Sequence, residues 1–235
     1  MADLALVGPA EAHAGDAVEL VASAPATWWR RVTEALDYDN VAACGGVSAG
    51  CAQPLVFRWE RLPARGASLS VVAEEGAWRF AATDGSAPVD VGLELVVRRD
   101  DTYVGYLTEL LGTPFALVPA RLPDGHQTDL RLAADCVAVL IYGRRRLGED
   151  VPYVSPEGVR RWLVAAEGPA RRGDVLHFGF QTAVLSEDHE PVGVIDPGDV
   201  VLQAFHGRVE ERALRDLPYA GLPFDHLRWR ADAPR

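Results

Sequence analysis

At 235 residues, with 49% hydrophobic and 24% charged positions, the chain has the make-up of a globular protein, long enough for one large domain or two smaller ones. Its formal charge is −11, its 23 basic residues are all arginine, and Arg144–Arg146 is the only basic run, which argues against a nucleic-acid surface. No window approaches the roughly 18 consecutive apolar residues of a membrane span, and the opening MADLALVGP lacks the charged and apolar regions of a signal peptide.

The first hundred residues read as β structure. Asp16–Ala22 alternates, and Pro54–Trp59, Ala67–Ala73, Trp78–Ala82 and Val91–Val97 follow at spacings punctuated by Gly, Pro and Asp. Short strands of this kind predict an antiparallel sandwich over residues 1–98, with an accessory role. Thr27–Leu36 reads as a short helical insertion, its paired Trp28 and Trp29 serving core packing before any sugar-stacking role. Cys44 and Cys51 bracket the Gly-rich GGVSAG. A disulfide is the expected pairing and implies an oxidising compartment, because no neighbouring His or Cys completes a metal set.

The charged stretch Arg98–Asp101 marks a boundary. Asp101 can cap a helix through Leu111, stopped by Gly112. Thr113–Ala134, with Pro114, Pro119, Pro123 and Gly125, reads as an irregular loop. Asp135 is then a good N-cap for a helix from Cys136 to Leu147, with Val137, Leu140, Ile141 and Arg144 on one face and Gly148 as its stop. The arginines at its end read as solvated. At the first helical position, free N–H groups and the macrodipole favour a thiolate at Cys136; the competing reading is a small buried cysteine packed at a helix start. Ser155-Pro156 opens another helix. Asp174–Phe178, Gln181–Ser186, Asp199–His206 and Val209–Leu214 read as strands, and the Pro- and aromatic-rich tail from Pro218 as a surface wrap. Helices first and an antiparallel sheet afterwards is an α+β plan.

Four segments taken in order carry a resemblance: Leu111-Gly-Thr-Pro-Phe115, Asp135-Cys136, Gly173-Asp-Val-Leu-His-Phe178 and Val201-Leu-Gln-Ala204. Over residues 101–215 the chain resembles the NlpC-type cysteine peptidases, papain-like hydrolases of which many cut bacterial cell-wall peptides. The resemblance implies a papain-like α+β domain over 99–235, a nucleophile at Cys136, a peptide or cell-wall peptide substrate, an extracytoplasmic location and no cofactor or metal.

Several positions depart from that pattern. The family's oxyanion tyrosine falls on Phe115, its Ser-Gly after the cysteine on Val137-Ala138, and its catalytic histidine on Gln181, which cannot act as a general base. Its third polar residue falls on Gln203. A working site would draw its base from His206, at the end of the Gln203 strand if Gly207 permits a bend, or from His177, with His126 a further candidate; Asp129 or Asp135 could orient it. His13, His189 and His226 read as surface or tail residues. Two function classes follow. One is a cysteine-dependent amide hydrolase or acyl transferase, with Cys136 attacking and first-turn N–H groups holding the oxyanion. The other is a catalytically degenerate NlpC-like binding or structural module.

Overall fold

The computed structural model describes residues 4–46, 51–89 and 92–232. The expected strand start at Val91 and residues 47–50 of the loop between the paired cysteines lie outside them. Strand makes up 41% and helix 16%, so the protein is β-rich, with two six-stranded sheets at its centre. Among the described residues no helix is long and apolar enough to cross a membrane.

The chain opens with β1 (Leu6–Val7), β2 (Glu11–His13) and β3 (Ala17–Thr33), passes through β4 (Asp37–Asp39) and α1 (Asn40–Ala43), and continues as β5 (Phe57–Val72), β6 (Gly76–Thr83) and β7 (Leu93–Arg98). The first sheet has the order β1-β3-β6-β7-β2, with β5 also paired to β3. It is a single sheet, which corrects the expected two-layer sandwich. The first half of β3 pairs with β1, and the chain leaving β1 becomes β2, which pairs in parallel with β7 at the other side. Register shifts between Val21 and Ala26 and between Thr27 and Trp29 bend the long β3–β5 ribbon. The curled sheet so encloses its own core of Val18, Leu20, Trp28, Phe80, Leu95 and Val97.

The helical insertion expected at Thr27–Leu36 is β strand as far as Thr33. Trp28 is wholly buried, its indole N–H donating to the Gly66 carbonyl at 3.0 Å, and Trp29 donates to Thr83 Oγ1 at 2.9 Å. Pairing with β5 and β6 decides the conformation, and the two tryptophans pack rather than bind. Cys44 and Cys51 are disulfide-bonded, as expected.

The second half opens with α2 (Tyr103–Leu107), extended by a 3-10 turn over Thr108–Leu110. Its cap is Thr102, whose hydroxyl accepts the Gly105 N–H, instead of Asp101, which takes Arg98 Nε at 2.6 Å. Gly112 ends the segment with φ 79°. The stretch read as an irregular loop holds β8 (Phe115–Leu117), β9 (Arg121–Leu122) and β10 (Gly125–His126). Its prolines permit this because each falls between strands and removes no ladder donor. β4 pairs in parallel with β8, and Tyr38, Ala116 and Ala133 share a small core. Residues 37–40 therefore pack with the chain beyond Arg98, and the ion pairs Arg99–Glu75 and Arg131–Glu94 also cross that expected boundary.

Next comes α3 (Cys136–Arg146), with Asp135 as its N-cap and Gly148 at φ 86° just beyond it. Burial covers Cys136 through Arg144 and not one stripe alone, because the helix packs against α2 and the second sheet. Its arginines are not a solvated end. Arg144 is 2% exposed and pairs with Glu149 and Asp232, while Arg146 faces the buried Glu109. After α4 (Pro156–Val159) come β11 (Leu163–Ala165), β12 (Val175–His177), β13 (Thr182–Glu187), β14 (Val200–Ala204), β15 (Val209–Ala213) and β16 (Asp225–Trp229). All pair antiparallel in the order β11-β16-β12-β13-β14-β15.

The presumed surface tail thus supplies an interior strand, β16. Arg228 can occupy it because its guanidinium binds both oxygens of buried Asp174, at 2.6 and 2.7 Å. His226, on the same strand, reaches that carboxylate at 2.8 Å.

Candidate functional site

The N-terminus of α3, the start of β13 and the end of β14 meet at one cavity of about 700 Å³. Asp135 begins the site. Its Oδ1 accepts the Ala138 N–H at 2.8 Å, which fixes the first turn and sets Cys136 at the helix start. Cys136 lines the cavity with 7% of its surface exposed. Thr182, at the start of β13, has a buried hydroxyl with no hydrogen-bond partner among the described residues.

Gln181, the residue before Thr182, is buried and lines the same cavity. Its amide Nε2 donates to Gln203 Oε1 at 3.2 Å, to the Ala204 carbonyl at 3.0 Å and toward Tyr219 Oη at 3.4 Å. Gln203 in turn donates to Glu210 Oε1 at 3.1 Å. The strand register explains the meeting, since Ala183 pairs with Gln203. The two glutamines singled out from the sequence therefore do come together as an amide pair, with Gln181 in the cavity that Cys136 also lines.

Electrostatics do not favour a thiolate. Burial pushes the Cys136 thiol up to about 12, the charge of Asp135 adds to this, and N–H groups of Thr182 and Val137 only partly offset it. The direction is opposite to the expected depression. A helix terminus contributes about 0.3–1 kcal/mol, whereas full burial moves a pKa by up to about 3–5 units. Asp135 is itself raised by burial, to about 6, against the opposing N–H donors of Ala138, Val118 and Val137.

A pH dependence follows for Asp135. Its folded pKa lies above the roughly 4 of an unfolded aspartate, so the folded chain holds more protons between those values. The stability this group contributes is present at low pH and lost as pH rises through about 6. Asp135→Asn keeps an effective cap and removes the slope. The variant should gain about 2 kcal/mol over the wild type on going from pH 4 to pH 8, read by thermal denaturation at both; an equal difference at the two pH values would reject the assignment.

The histidines divide. His177 is buried and absent from the cavity wall. Its Nδ1 accepts the Gly179 N–H at 3.0 Å, and its Nε2 lies 3.2 Å from the Pro156 carbonyl, so both nitrogens are committed. It is not a base for Cys136. His206 does line the cavity, and it sits in the bend anticipated at Gly207, with φ 55° and 67° at the two residues. Its side chain is 71% exposed, 3.6 Å from Asp37 and packed against Phe115, with no orienting partner deeper in the site. His126 also lines the cavity. It stacks on Tyr153 with ring centroids 3.6 Å apart, and burial pushes it down to about 4, so it is neutral near pH 7. Asp129 is taken by Arg145 and Tyr153 and orients no histidine.

The rest of the wall is apolar and came mostly from stretches without a readable motif. Leu117 ends β8 and Val118 follows it, Tyr153 to Pro156 lead into α4, and Phe180 and Phe205 flank the amide pair. Phe180 is 53% exposed at the rim. Tyr219, which closes the hydrogen-bonded cluster around Gln181, lies in the supposed tail, whose aromatic content was visible but whose spacing gave no period. Comparison with known proteins adds no kinship: no family model, no curated protein and no solved structure matches the chain.

Proposed function

We propose that the chain is a binding module on a papain-like α+β scaffold of NlpC type, accompanied by a β-rich N-terminal domain, and that it holds a peptide in the cavity beside Cys136 without cleaving it. The observation that carries this reading is Gln181, an amide bonded to Gln203 where a hydrolase of this design needs an imidazole. The raised thiol supports it, since the thiol form is a poor nucleophile. The mostly apolar wall favours an uncharged segment, because among the described residues no arginine lines the cavity to take a carboxylate. The Cys44–Cys51 disulfide supports an extracytoplasmic location, where the ligand is a cell-wall peptide. The test is calorimetric titration with an amidated wall-type tetrapeptide, followed by mass spectrometry. Saturable binding of an intact peptide, weakened about tenfold by Phe180→Ala (an aromatic anchor lost), is expected; a cleaved peptide would reject the reading.

A second reading, a cysteine-dependent hydrolase or acyl transferase, draws on one observation: His206 shares the cavity with Cys136. It requires turnover that disappears in both Cys136→Ala and His206→Ala.

A further inference from the structure

We propose that a separate cleft, between the first sheet and the segment entering β8, binds a small multivalent oxyanion whose recognised group is a phosphate. The cleft has a volume of about 230 Å³ and is lined by Arg31 and Arg79 from β3 and β6 and by Arg131 and Arg208 from the second half, with no acidic residue in its wall among the described residues. Four arginines facing one space, in a chain of net charge −11, form a local concentration of positive charge.

Compensation from the protein is incomplete. Glu94 takes Arg131 at 2.7 Å and Arg79 at 3.4 Å. The Nε groups of Arg79 and Arg131 are buried without an acceptor. Among the described residues Arg31 and Arg208 form no ion pair, and the Arg31 guanidinium lies over the Phe57 ring at 4.1 Å. Arg31 is pushed down to about 10, first by burial and then by Arg79, with Glu94 offsetting this in part; that is the response of a cation lacking a counter-ion. Planar guanidinium groups suit bidentate contact with a phosphate or similar oxyanion. The volume lies below the about 300 Å³ where pockets for drug-sized ligands begin, which selects a small anion or the phosphate end of a larger one. Because the lining comes from both halves of the chain, an occupant would tie them together.

The test is calorimetric denaturation of the full chain in inorganic phosphate against sodium chloride of equal ionic strength. The melting temperature is expected to rise by several degrees and saturate with phosphate, and Arg31→Gln with Arg208→Gln should weaken the response at least tenfold. In phosphate-free buffer Arg31→Gln should be no less stable than the wild type, since it removes an uncompensated charge; a purely structural arginine would lose stability there. Should the double variant not fold, Arg208→Gln alone, at an exposed position, should weaken the response at least threefold. A parallel titration with glycerol phosphate separates the sources: tighter binding than free phosphate assigns a phosphate monoester, weaker binding the free anion. A phosphate effect no larger than that of chloride, or one unchanged in the variants, would overturn the proposal.

Discussion

Gln181→His is expected to raise the rate of Cys136 alkylation by iodoacetamide at pH 7 at least tenfold. The substituted imidazole would stand where the amide now stands, in the cavity that Cys136 also lines, with Gln203 Oε1 and the Ala204 carbonyl positioned to accept a ring N–H. A nearby imidazolium favours the thiolate, and an opposite charge at that range lowers a pKa by about 1–3 units. Each unit is a tenfold gain in thiolate fraction while the thiol remains far above the solution pH, offset in part by its lower intrinsic nucleophilicity. A folded Gln181→His protein with unchanged alkylation would show that residue 181 does not govern the thiol.

Glu109→Ala should produce the largest loss of stability, about 3–5 kcal/mol, the cost of breaking a buried charge network by removing one partner. Glu109 has no exposed surface. Its carboxylate accepts from the Tyr142 hydroxyl and faces Arg146 at 2.9 Å through each oxygen. Arg146 also reaches Glu11 of β2 at 3.0 Å, so the arginine that Glu109 holds links the helix bearing Cys136 to the first sheet. For a chain of this length the loss corresponds to a fall of roughly 10 °C in melting temperature. Glu109→Gln, which keeps the shape and some of the hydrogen bonding, should lose less. A Glu109→Ala cost under about 1 kcal/mol would mean that the arginines find water or other partners as readily.

What could be read from the sequence was mostly local. The Asp135 cap, the helix from Cys136 and its Gly148 stop depend on neighbours in the chain and stand as expected, the helix ending at Arg146, one residue short of the expected Leu147. The Cys44–Cys51 pair was legible from spacing. Gln181 and Gln203 stand out through motif order, and the register that joins them, with Ala183 opposite Gln203, is set by strand pairing. What failed was non-local. Trp28 and Trp29 suggested a helix because the β5 and β6 strands that extend them lie far along the chain. Strand β16 was hidden because Arg228 reads as a surface residue until Asp174 is placed against it. The upward pull on the thiol is not legible in the sequence, because the helix terminus is written there whereas the burial of Cys136 is a property of the packed whole.

The central claim is that Cys136 rests as a protonated thiol in a centre without a base. The direct measurement is the rate of wild-type Cys136 alkylation from pH 6 to pH 9.5, normalised to a free thiol. With the group held well above an ordinary cysteine, the rate should be low at neutral pH and still climbing at the top of the range, without a plateau. A rate that levels off below pH 7 would reveal a stabilised thiolate and contradict the account.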